Sequence, residues 1–164
     1  MKTNSVVYFR RKREGRTDYR KRLALLKSRL PRLVVRRTNK HTILQVVQYH
    51  PDGDKILTTV TSGQLEKQGW KGSTANSAAA YLTGLLLAQK IKGTKLNGDL
   101  IVDIGLHRHK AGSRLYAAVR GAKDAGLAIK CSDDVLPGDE RLNGEHLSAD
   151  VKKSFETIKQ KIMK

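Results

Sequence analysis

The sequence predicts an α/β fold: a mixed sheet of about five strands packed by helices, with a basic N-terminal arm and a C-terminal helix. The strands are expected as a three-strand antiparallel meander followed by helix, strand, helix, strand. Three observations carry that expectation. Residues 33–61 hold short β-branched runs separated by turn chemistry. Residues 73–131 then hold two long segments of helical period around a continuous apolar run. The third observation is charge. The 164 residues include 33 Lys+Arg and 15 Asp+Glu, a net +18, but residues 1–40 hold 15 of those cations and only 2 of the anions. Most of the excess is therefore in the first quarter of the chain, and the remainder is close to an ordinary globular body. The expected division is 1–31 for the arm and a short helix, 32–131 for the mixed α/β body, and 132–164 for a turn-rich tail with a C-terminal helix.

Residues 1–16 read as the arm, long enough to reach about 50 Å at roughly 3.3 Å per residue. A helix is expected from Thr17 or Asp18, both good N-caps, with a stripe of Tyr19, Leu23, Leu26 and Leu30 and a stop at Pro31. Strands follow at 33–37 and 43–49, joined by the polar loop 38–41, in which Asn39 tolerates a left-handed backbone. A second turn at 51–54 leads to a third strand at 56–61. Ser73 or Thr74 then caps a helix reaching about Lys92, with Gly93 beyond it and Ala78, Leu82, Leu85, Leu86 and Ile91 on its apolar face. Residues 100–104 read as a central strand buried on both faces. Residues 111–125 form the next helix, lined by Leu115, Ala118, Val119 and Ala122 and closed by Gly126. A short strand at 127–131 completes the sheet. After the polar stretch 132–147, Ser148 caps a final helix with the stripe Val151, Phe155, Ile158 and Ile162, most simply read as core packing.

Several function classes are excluded by what is missing. No run approaches the roughly 20 apolar residues of a membrane span. The basic stretch Arg10–Arg13 is not followed by the apolar segment of a secretory leader, so the cytoplasm is the expected compartment. The lone Cys131 permits no internal disulfide and no cysteine-based zinc cluster. A hydrolase triad lacks a G-x-S-x-G elbow to support it. His107 and His109 alternate as strand neighbours do, but no third ligand stands at metal spacing, and the surrounding Arg108, Lys110 and Arg114 oppose a cation. The segment Gly69 to Thr74 fails the phosphate-loop template, since no Gly-Lys pair precedes its Ser or Thr. A nuclease of the ribonuclease H type would need carboxylates gathered around Mg²⁺. Asp99, Asp103 and Asp124 read instead as turn, strand-end and helix-surface residues. Neither a catalytic residue, a metal site, a cofactor nor a small-molecule substrate is expected.

A basic protein of this kind implies a polyanion, and the pattern favours a large structured RNA over a linear duplex or a membrane. The arm offers Tyr8, Arg10, Arg11, Lys12, Arg13 and Arg16, with Arg20 and Lys21 on the helix behind it, for charge and stacking. The hairpin offers Arg36, Arg37, Asn39, Lys40 and His41, in which Arg and Lys pair with phosphates while Asn and His also reach base edges. A Gly-flanked loop before a helix N-terminus offers Lys71 and Ser73 for phosphate contact. Its Trp70 either stacks on a base or packs on the body. His107, Arg108, His109, Lys110 and Arg114 form the last group. Two other functions compete with this one: a metal-dependent nuclease built on Asp103, and a sequence-indifferent DNA-compacting protein.

The motifs carry a resemblance. GLHRHKAGSRLYAAVRGAKDAGL, at 105–127, resembles the signature of the family of universal large-subunit ribosomal protein eighteen, and VRRTNKHT, at 35–42, resembles that family's 5S-contacting hairpin. The blocks 8–21 and 74–84 are similar as well, so the likeness covers about residues 5–147. The arm and tail resemble the archaeal and eukaryotic branch, and the absence of large eukaryotic extensions points to an archaeal source. The resemblance implies a non-enzymatic protein that binds 5S ribosomal RNA and helps attach it to 23S ribosomal RNA in the central protuberance. Ribosomal protein five and other large-subunit proteins would be its neighbours. It also implies that the hairpin residues Arg36 to His41 meet 5S RNA and that the arm penetrates RNA.

Overall fold

The computed structural model describes residues 6–92, 98–144 and 147–163. Its centre is a mixed sheet of β1 (Arg32–Arg37), β2 (Thr42–Gln48), β3 (Lys55–Thr61), β4 (Leu100–Asp103) and β5 (Ile129–Lys130), in the order β3-β2-β1-β4-β5. The meander β1-β2-β3 is antiparallel, and β4 and β5 add parallel to β1. This is the expected architecture, and strand alternation explains it. Leu33, Val35, Leu44, Val46 and Val60 are fully buried on one face. Against that face lie α3 (Ser77–Ile91) and α4 (Arg114–Asp124), which return the chain between parallel strands, and α6 (Ala149–Met163), which packs on α3. Phe155, Ile158 and Ile162 of α6 join the core, as their stripe predicts.

α3 and α4 meet through glycine. A Cβ on Gly84 would collide with the carbonyl oxygen of Ala118, and one on Gly121 with that of Tyr81. The backbones therefore touch, and any side chain at either position forces the helices apart. Tyr81 adds a bond from its hydroxyl to Asp124 Oδ2 at 3.0 Å. Because both helices run antiparallel to the strands they connect, both begin at the C-terminal ends of β1, β3 and β4.

Several boundaries differ from expectation. The arm is not wholly extended, since α1 (Arg10–Arg13) makes one helical turn within it. Asp18 caps α2 (Tyr19–Lys27), accepting from the Arg20 and Lys21 amides at 3.0 and 3.2 Å. However, α2 stops short of Leu30, because Arg29 turns left-handed at φ 57°, and Leu23 is 57% exposed. The expected stripe is thus not a buried face. α3 is capped by Asn76, which accepts from Ala79 at 2.7 Å, rather than by Ser73 or Thr74. A 3₁₀ segment at Ser62–Gln68 precedes it, a polar stretch whose short period carried no signal. β4 is interior but not buried on both faces: Ile101, which shares the second face with Arg32, is half-buried, and so is Val102, which packs against the core on the other face. α4 begins only at Arg114. The tail adds a 3₁₀ turn at Asp133–Val135 and α5 (Asp139–Leu142). Gly93, expected beyond α3, and residues 1–5 of the arm lie outside the described residues.

On that second face, side chains on alternate β1 positions form an ionic chain. Arg32, 2% exposed, reaches Asp54 at 2.6 Å and Asp103 at 3.1 Å. Asp54 also takes Arg22 of α2 at 2.9 Å, and Asp103 takes Arg36 at 3.1 Å. Burial alone would raise the Asp54 carboxyl, but the bonds and charges of Arg32 and Arg22 outweigh it and hold the group below its ordinary value.

Candidate nucleic-acid interface

The loops at the C-terminal ends of the strands converge. In the hairpin, the Thr38 amide donates to the His41 carbonyl at 2.8 Å and the His41 amide to Thr38 Oγ1 at 2.8 Å. That closure leaves Asn39 and Lys40 exposed at the tip. The Thr74 hydroxyl donates to the Lys40 carbonyl at 2.7 Å and so is an acceptor for His41 Nδ1 at 3.3 Å. Arg114 donates to the Thr38 carbonyl at 3.0 Å and to the Ala75 carbonyl. One guanidinium therefore ties the hairpin, the loop before α3 and the start of α4 together. His107 closes the set by accepting the Arg37 amide on Nε2 at 3.3 Å.

These bonds sort the candidate residues. Arg37, Asn39, Lys40, Lys71, Ser73, Arg108, His109 and Lys110 are exposed on this end of the sheet. His109 sets its ring edge-on to Tyr116, with centroids 5.2 Å apart. His41, His107 and Arg114 are half-buried and hold loops. Burial, followed by the charges of Arg37, Arg36 and Arg114, depresses His107 below its ordinary value. It is thus the neutral acceptor that its bond to Arg37 requires.

Two candidates are corrected. Trp70 is 5% exposed, and its indole N–H donates to the Ser73 carbonyl at 3.2 Å, so it belongs to the core and offers no face to a base. Arg36 is not a free cation awaiting a phosphate, although its side chain is 38% exposed. It donates to the Val35 and Asp103 carbonyls at 2.9 and 2.7 Å as well as to the Asp103 carboxylate. Gly105, at φ 60°, lies so close beneath that guanidinium that a Cβ would meet Arg36 Cζ at 2.8 Å. Sequence reasoning missed Thr38 and Thr74. Their signal was the chance of a hydroxyl bonding the backbone of a polar loop, and Thr38 stands three residues before His41 in that way.

The arm lies at the other end of the sheet. α2 precedes β1, and Arg22 is pinned to Asp54 in the turn before β3. β1 has 6 residues, so about 20 Å separates the two ends at roughly 3.3 Å per residue. Arg10, Arg11, Lys12, Arg13, Arg16, Arg20 and Lys21 are all exposed. Lys12 sits 3.6 Å over the Tyr8 ring, and Phe9 packs on Tyr19 with centroids 5.4 Å apart. The arm therefore presents cations mixed with aromatic surface, and Phe9 remains 74% exposed.

Chemistry of other kinds finds little support. Asp103 is 7% exposed and already bound to two arginines, which is not the state of a carboxylate waiting for Mg²⁺. Asp99 pairs with Lys130 at 3.4 Å and Asp124 with Arg120 at 3.7 Å. Among the described residues, no group of three or more His, Cys, Asp or Glu is placed to hold a metal. Among them, too, no helix is long and apolar enough to cross a membrane.

Residues 4–100 match the family described as "Ribosomal large subunit proteins 60S L5, and 50S L18". The large ribosomal subunit protein uL18 of Methanoregula boonei is 50% identical over 155 residues, which cover 94% of this chain and 88% of that protein. Its namesake from Korarchaeum cryptofilum is 48% identical over 143 residues, 87% of this chain and 73% of that protein.

Proposed function

Since the chain belongs to this family of large-subunit ribosomal proteins, we propose that it binds 5S ribosomal RNA and helps seat it on 23S ribosomal RNA in the central protuberance. The family is one of ribosomal structural proteins, and the chain is not an enzyme. Its place is the large ribosomal subunit.

The observation that carries the proposal is the stapled, cation-rich end of the sheet. Arg37, Lys40, Lys71, Arg108 and Lys110 stand exposed on loops held in one arrangement by Arg114, Thr74 and His107. A preformed surface loses little entropy on binding and favours an RNA of matching shape. In this reading those cations and Ser73 pair with phosphates, while Asn39 and His109 reach base edges. The arm, on the far side of the body, supplies a second contact of low selectivity. Two contacts about 20 Å apart suit a body wedged between RNA segments, with 23S RNA at one end and ribosomal protein five among the neighbours.

A mobility-shift titration tests the proposal. With about six phosphate contacts, affinity for 5S RNA falls on the order of a thousandfold between 50 and 200 mM salt. Binding to 5S RNA is expected to be much tighter than to an unrelated folded RNA of the same length. Equal affinity for the two sinks the 5S assignment.

A further inference from the structure

The basic arm leaves the body through α2, and one carboxylate holds α2 in place. Arg22 of α2 meets Asp54 Oδ2 at 2.9 Å. Arg32 grips the same oxygen at 2.6 Å and reaches Asp103 at 3.1 Å. Arg32 is 2% exposed, so the Asp54 carboxylate is fixed from the sheet side. The turn ahead of β3 adds a second restraint, with the Gly53 amide donating to the His50 carbonyl at 3.1 Å.

α2 has little else to hold it. None of its 9 residues is buried, and Leu25 and Leu26 are only half-buried. A helix this short is marginal in water without tertiary support. Asp18 satisfies amides of its first turn, but that contact is internal to the segment and leaves its direction open. Among the described residues, Arg22 makes the only hydrogen bond from an α2 side chain to the body. A surface ion pair is weak when both side chains must be ordered to form it. Here one partner is already ordered by a buried arginine, so less freedom is lost when Arg22 docks.

Direction matters because the cations lie at two ends of the body. A loosely attached arm engages RNA in many directions, and only some of them let one RNA molecule also reach the far end of the sheet. We propose that Asp54 is a positioning residue for RNA binding: through Arg22 it clips α2 to the sheet and fixes the direction in which the arm leaves the body. Asp54 and Arg22 form the clip, while Arg10, Arg11, Lys12 and Arg13 meet the phosphates. The inference rests on the RNA-binding reading above. It gives a role in that binding to an anion of a strongly basic chain, which charge clustering passes over.

Full-length chains carrying Arg22→Gln or Asp54→Asn test this. Charge alone sets opposite signs, since losing a cation weakens binding to 5S RNA and losing an anion tightens it. The clip predicts that both weaken it by about tenfold, the low end for one charge-assisted hydrogen bond. In a full-length background carrying Arg10→Gln, Arg11→Gln, Lys12→Gln and Arg13→Gln, each effect should shrink to about twofold or less, because a neutralised arm gains nothing from its direction. Without RNA, hydrogen exchange across 22–27 is faster in Arg22→Gln, while β1 and β2 keep their wild-type protection. Tighter binding by Asp54→Asn overturns the proposal. So does a loss in Arg22→Gln that persists undiminished in the neutralised background, which makes Arg22 a direct phosphate contact. Wild-type exchange across 22–27 in Arg22→Gln overturns it too, since α2 is then held by other means. If Asp54→Asn does not fold, Arg22→Gln decides alone, because it leaves Arg32 both of its carboxylates. Wild-type affinity in both variants removes the clip and leaves the RNA-binding reading intact, whereas no binding of 5S RNA by the wild-type chain overturns both.

Discussion

Replacing Asp103 with Ala removes the hinge of the ionic chain on the second face of the sheet. Arg32 is 2% exposed and keeps only Asp54 as a partner after that change. Removing one member of a buried pair costs about 3–5 kcal/mol, and the surviving Asp54 contact puts the loss near the lower end. The Gly105 amide also loses its bond to Asp103 Oδ1, now 2.8 Å long, worth about 0.5–1.5 kcal/mol. Arg36, with its side chain 38% exposed, adds little because water solvates it once freed. The expected loss is about 4 kcal/mol, read from urea unfolding as a lower midpoint at an unchanged slope. Binding supplies a second sign. Charge alone predicts that Asp103→Asn tightens RNA binding, since one anion is gone. The network predicts weaker binding, because the loop at 105–113 loses its anchor. A stability loss below about 1 kcal/mol in Asp103→Ala, or tighter RNA binding by an undestabilised Asp103→Asn, refutes the reasoning.

Other consequences are equally concrete. Gly121→Ala drives a methyl into the Tyr81 carbonyl and is expected to cost at least about 2 kcal/mol in thermal or urea unfolding; a change within about 0.5 kcal/mol, the range of an ordinary surface substitution, contradicts the close helix contact. His107 is depressed by burial and nearby arginines, so the unfolded chain takes its proton first. Its contribution is full above pH 6.5, the ordinary histidine value, and is lost as pH falls through the lowered folded value. Stability measured from pH 7 to pH 5 should therefore fall more steeply in the wild type than in His107→Gln, and equal slopes contradict the buried neutral state. Deleting residues 1–16 should weaken binding to all RNAs and flatten its salt dependence, whereas Asn39→Ala with His109→Ala should mainly reduce the preference for 5S RNA. Identical effects of the two changes undo the division into positioning and specifying contacts.

Much of this was legible in the residues. The alternation of Leu33, Val35, Leu44 and Val46 and the helical period of 77–91 each report a local rule, and the observed elements follow it. The boundaries that moved were decided by tertiary competition. Thr74 was an acceptable N-cap by type, but its hydroxyl is committed to Lys40, and Asn76 caps α3 instead. Trp70 and Arg36 fit an RNA surface by residue type, and only the fold shows that one is core and the other is bound to Asp103. The ionic chain was invisible because Arg22, Arg32, Asp54 and Asp103 are scattered along the sequence, on a helix, two strands and a turn that only the fold brings together.

The central claim is that the polyanion met by this cationic surface is 5S ribosomal RNA. Purifying the native protein with its bound nucleic acid, under mild salt, and identifying that RNA tests it most directly. The account predicts 5S RNA at near one-to-one stoichiometry, lost when Arg37, Lys40 and Lys110 are replaced together by Gln in a chain that still folds. Recovery of heterogeneous RNA or DNA, or of 5S RNA undiminished by those three replacements, contradicts it.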